Sequence, residues 1–245
     1  MFVDQQFSDD ADVMRRSGAA ALALECEGAP DNGGAADYDS GLSSTQDSAE
    51  EAVANWFEED WVGGLPQKGY RVEREDSDRV LLSYDVEGRT KVAFIVASDV
   101  RDFNGDLGWG VESWATCNAA ELPDEFTDAA GLQIWEDDKG HRVSTTIVSS
   151  FQGAEHCDWQ HITFLTLGSD PKLQYVRDVD GEFGDLLDGS YDGSASLPAN
   201  AVDLGFSREG RRLWLVEGEA AYLVNVQDPA DVERWPVAIE RILCG

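Results

Sequence analysis

From residue 131 onward the chain reads as a train of short apolar runs. They are LQIWED, HRVSTTIVSS, CDWQHITFLTL, LQYVRD, RRLWLVEG, AAYLVNV and VERWPVAIERIL, and Gly, Asp or Pro punctuates each gap. Short β-branched and aromatic runs separated by turn residues are what an antiparallel β fold needs. This pattern predicts a mostly antiparallel all-β module over 131–245.

The first half is patterned differently. Residues 1–47 carry ten acids and two bases, with DNGGAADYDSG in the middle, and read mostly as loop or tail; 1–19 is expected to be an acidic flexible tail. Within AAALALEC, Leu22, Leu24 and Cys26 share one face of a strand if that stretch is extended. Ser48-Ala-Glu-Glu51 has capping-box spacing, and Val53, Trp56, Phe57 and Trp61 follow at helical intervals, so a helix is expected over about 48–61. RVLLSYDV and TKVAFIVA flank Glu87-Gly88-Arg89 as a hairpin, and GWGVESWATC reads as a further strand. The expected organisation is an α+β module over 20–120, a linker at 121–130, and the β module.

Composition limits the partners. Of 245 residues 42% are hydrophobic, with eight Trp and ten Phe, enough for a substantial core. Forty-nine acidic residues face 18 basic ones, a formal charge of −31, a field that repels phosphates, so neither nucleic acid nor anionic lipid is an expected partner. No run of about 18 apolar residues is present, so no membrane span is expected.

The stretch GAEHCDWQHITFLTL concentrates His156, Cys157, Asp158 and His161, in a chain with three histidines and four cysteines. Read as a strand, it turns His156 and His161 to opposite faces and sets Cys157 and His161 about 13 Å apart, too far for a shared zinc ion. No signature of a Cys/His nucleophile surrounds Cys157. Cys26, Cys117, Cys157 and Cys244 are even in number, widely spaced and form no C-x-x-C, which favours disulfides and an oxidising compartment. If each module closes on itself, the pairs are Cys26–Cys117 and Cys157–Cys244; Cys117–Cys157 is the competing pair. The opening MFVDQQFSDDADVMRR lacks the basic start and apolar middle of a signal peptide, which read literally is a cytosolic start and conflicts with the cysteines; a missing export segment would reconcile the two.

Other chemistry has no motif here. Gly189-Ser190-Tyr191-Asp192-Gly193 is not a nucleophile elbow, and Gly108-Trp109-Gly110 opens a strand rather than a phosphate-binding helix. Asp178-Val-Asp180-Gly181 places its glycine two positions early for an EF-hand loop, which leaves turn chemistry. Neither a cofactor nor a metal is expected. Trp109, Trp114, Trp135, Trp214 and Trp235 lie on or beside expected strands; together on a surface they would form a ligand or partner face, while buried they fill the core.

GWGVESWATC, GAEHCDWQHITFLTL, LQYVRDVDG, RRLWLVEGEAAYLV and VERWPVAIERILCG resemble a group of uncharacterised actinobacterial exported proteins and lipoproteins, from about Leu22 to the C-terminus. The resemblance implies export, with the stretch before Cys26 following a signal or membrane segment. The expected function is a non-catalytic binding or interaction protein of the cell envelope with a protein or glycan partner. A glycan-directed hydrolase using acidic residues in a cleft between the modules is the alternative.

Overall fold

Residues 79–101 form a hairpin, for a reason visible in its turn. β3 (Arg79–Val86) and β4 (Arg89–Arg101) pair antiparallel, with Val86 opposite Arg89. The two loop residues, Glu87 and Gly88, have φ of 52° and 77°. Positive φ at both central positions is the turn whose twist matches a hairpin. The structure, a computed structural model, describes residues 18–33, 45–59, 64–102, 104–168 and 173–244.

The sheets are antiparallel throughout, and strand (42%) far exceeds helix (15%). The chain divides into two units, Met1–Phe126 and Thr127–Gly245. In the first, β1 (Asp31–Gly33), β2 (Arg71–Glu75), β3, β4 and β5 (Leu107–Thr116) make a five-stranded sheet in the order β1-β5-β4-β3-β2. Helix α1 (Ala49–Glu59) is capped at its start, where Ser48 Oγ accepts the Glu51 amide at 3.2 Å. Its Ala52, Val53 and Trp56 are buried with Val80, Leu82, Phe94 and Val111 of the sheet. The expected contribution of Trp61 lies outside the described residues.

The sheet's other face is covered by AAALA, and not in the form the sequence suggests. Ala19–Ala23 is a 3-10 turn that buries Ala19 and Ala20 against Leu81, Ala93, Ile95 and Ala115. Leu22, expected to share a strand face with Leu24 and Cys26, is 67% exposed. The expected linker at 121–130 also has structure: a 3-10 turn ends at Glu121, and α2 (Asp124–Ala129) follows.

The second unit contains two four-stranded meanders. One is β6 (Leu132–Gln133), β7 (Val148–Gln152), β8 (Thr163–Leu167) and β9 (Gln174–Arg177); the other is β10 (Val202–Arg208), β11 (Arg211–Val216), β12 (Ala220–Asn225) and β13 (Val232–Pro236). Bridges between Glu136 and Ser207 and between Tyr175 and Val237 tie the meanders along both edges. Trp135, Val148, Leu165 and Tyr175 from the first meander share one core with Leu213, Leu223 and Trp235 from the second. A smaller core of Ile162, Phe164, Val176, Phe183, Leu187, Ala238 and Ile242 is where loops gather.

Candidate functional site

That smaller core is built by the stretch on which the sequence concentrates its histidines. The last β7–β8 pair is Gln152 with Thr163, so residues 153–162 form the loop of a hairpin rather than part of a strand. Gly153 and Ile162 close it with a 2.9 Å backbone bond. Inside, Glu155–Cys157 make a 3-10 turn that Asp158 ends in the left-handed region, at φ 59°. The strand expected over Cys157–His161 is therefore corrected to a turn, and the alternation of faces expected there does not apply. The β-branched residues that suggest a strand are Ile162 and Thr163 onward, and the strand begins at Thr163.

The turn brings different residues together from those a strand would. His156 Nε2 lies 3.0 Å from Cys244 Sγ, and Cys244 is at disulfide-bonding distance from Cys157, with Cα atoms 6.3 Å apart. Both cysteines are half-buried, and neither lies on a strand. Ligand atoms of His156, Cys157 and Cys244 lie within 4.8 Å of one another, but with the sulfurs joined only the imidazole is left for an ion. His161 points elsewhere, its Nε2 2.8 Å from Glu182 Oε1 and 3.8 Å from Asp180. His141 is exposed and pairs with Asp137 at 3.2 Å. The second cysteine pair, Cys26 and Cys117, lies in the first unit, Cα atoms 5.2 Å apart.

Asp178 organises the segment facing the turn. It is 2% exposed, and its carboxylate accepts the backbone amides of Gly181, Glu182 and Phe183 at 2.8–3.0 Å. A carboxylate so committed to amides folds its own loop. The loop sets Phe183 edge-on to Trp159, with ring centres 4.9 Å apart, and Glu182 beside His161.

Grooves flank this loop on two sides. One, of about 430 Å³, is lined by Trp159, Glu182, Phe183 and Leu186 and by residues 240–243, including Arg241. The other, of about 480 Å³, is lined among others by Asp185, Leu187, Ser190, Tyr191 and Ile239. In the second, burial pushes the Tyr191 hydroxyl above its ordinary value, helped by the nearby Glu233. The Arg177 guanidinium stands 5.3 Å from that ring's centre. A half-buried indole beside acids and one exposed guanidinium suits a ligand that stacks and hydrogen-bonds.

The five tryptophans expected as a surface do not gather into one. Trp135 is 1% exposed and its indole donates to Ser150 Oγ at 2.9 Å; Trp235 is 4% exposed and donates to Glu233 at 2.9 Å. Both are core residues, which removes them from any surface. Trp109 and Trp114 pack against the core of the first unit, and Trp214 lies beside Val216, Tyr222 and Val224. The tryptophan at the groove is Trp159, and Glu182 and Arg241 have no sequence motif to announce them. The nearest signal is that Trp159 lies two residues from a cysteine whose partner follows Leu243. No family model, no curated protein and no solved structure matches the chain.

Proposed function

We propose that the chain is a non-catalytic binding protein of the cell envelope that holds a glycan in the groove beside Trp159. The observation carrying this reading is the groove itself, where one indole, two acids and a guanidinium converge. Sugars are recognised by an aromatic face together with charged and polar side chains, and this lining supplies both. Two cysteine pairs at disulfide distance suit an extracellular or otherwise oxidising location, as does the resemblance to exported proteins.

Co-sedimentation with purified cell-wall polysaccharide tests the reading. The wild-type chain should pellet with the polysaccharide. Arg241→Ala, at an exposed position, should weaken retention about tenfold, the value of a hydrogen bond to a charged group, with its melting temperature unchanged. No retention of the wild-type chain, or equal retention of the variant, overturns it. Soluble fragments released during incubation would favour the hydrolase instead.

A further inference from the structure

The two bridges differ in burial and in the side chain nearest the sulfurs. Cys117 is 1% exposed and Cys26 half-buried, and a Glu121 carboxylate oxygen, in a group paired with Lys91 Nζ at 2.6 Å, lies within 4.8 Å of both sulfurs. Cys157, on a surface turn, and Cys244, in the irregular segment after β13, are both half-buried, with the His156 imidazole 3.0 Å from the Cys244 sulfur. Thiol–disulfide exchange expels a thiolate, and it runs faster when that thiolate is the better leaving group. A nearby imidazolium stabilises a thiolate, while burial such as that of Cys117 opposes it.

We propose that Cys157–Cys244 is a thiol–disulfide exchange site that accepts an external thiolate at Cys157 and expels the Cys244 sulfur toward His156. The incoming thiolate forms a new S–S bond with Cys157 Sγ as the Cys157–Cys244 bond breaks. The bonding pair leaves on Cys244 Sγ, which accepts the Nε2–H of protonated His156. A second thiolate from the donor then attacks the donor's own sulfur in the mixed disulfide and releases Cys157. Two donor thiols become one disulfide, and the bridge gains two electrons and two protons. The substrate class is a small thiol or a protein dithiol. Cys157 is the attacked atom because His156 touches Cys244, and the exposed residues Glu155, His156 and Asp158 leave its turn open to solvent.

The test uses the full chain with reduced glutathione, quenched by alkylation at intervals and mapped by peptide mass. Cys157 and Cys244 should become reactive at least about tenfold faster than Cys26 and Cys117, and the trapped glutathione should sit on Cys157. His156→Ala should slow opening of Cys157–Cys244 by about tenfold and leave the other bridge's rate unchanged. A histidine that merely stiffened the turn would have the opposite effect, since its loss would speed opening. The proposal is overturned if the Cys26–Cys117 bridge opens first or at the same rate. It is equally overturned if the adduct sits on Cys244, or if the variant reacts at the wild-type rate or faster.

Discussion

Asp85, on β3, shows how single side chains use the acidic surface. Arg71 donates to its carboxylate from Nε at 2.8 Å and from Nη2 at 3.2 Å, and the Thr90 hydroxyl donates at 2.9 Å. The Arg71 hydrogen bond is the main cause that holds this carboxyl below the ordinary carboxylate range, with Thr90 adding to it. A carboxyl depressed in the folded chain contributes stability that is present above its unfolded pKa of about 3.9 and lost as pH falls through the lower folded value. Asp85→Asn should therefore melt lower than wild type at pH 7, and the two curves should converge as pH falls below about 4. Because Arg71 is largely exposed, the gap at pH 7 should be no more than about 1 kcal/mol. Melting temperatures of both proteins from pH 7 to pH 2 check this, and a gap that persists or widens in acid would contradict it.

Among the elements, the β7–β8 loop depends on a close approach that only glycine allows. A Cβ at Gly153 would stand 2.5 Å from both the Cβ and the carbonyl oxygen of Trp159. Those atoms belong to the backbone and the root of a side chain, so they cannot rotate aside. Gly153→Ala should cost about 1–3 kcal/mol and push Trp159 off Phe183, lowering groove affinity with it. Urea unfolding and the polysaccharide assay together read the two effects. A variant of wild-type stability with wild-type binding would show that the loop yields easily. Other elements carry their reason locally. α1 is announced by Ser48 and Glu51, and the β3–β4 turn by Glu87-Gly88, because caps and turns are decided by neighbouring residues. β2 and β10 are not announced. β2, RVERE, is exposed along its length, with the charges that suit a sheet edge, and so shows no alternation. Gly205, at φ 77°, interrupts the β10 pattern where its pairing shifts register.

At the scale of the whole molecule, each unit carries one long-range bridge, 91 residues apart in the first and 87 in the second. Closing a loop of that length restricts the unfolded chain by about 4–5 kcal/mol in the chain-entropy account. Replacing Cys26 and Cys117 together with Ala should lower the stability of the first unit by that order. Hydrogen exchange at the buried amides of β3–β5 measures it, and unchanged protection would show that the bridge adds nothing. Near it, Lys91 and Glu121 are an almost fully buried ion pair, 2.6 Å apart, with Lys91 Nζ also donating to the Glu25 carbonyl. Each of these contacts joins residues far apart in the chain. Sequence alone was enough for an antiparallel β-rich fold, the helix at Ala49–Glu59 and the β3–β4 hairpin, since apolar periodicity, caps and turn residues act within a few positions. It also made disulfides the expected use of four dispersed cysteines. Tertiary structure alone decided that HCDWQH is a hairpin turn, that His156 meets Cys244 across 88 residues, and that Trp159 borders a groove while Trp135 and Trp235 are buried. Local propensity cannot see such choices, because the free energy that settles them comes from packing between segments that meet only in the folded chain.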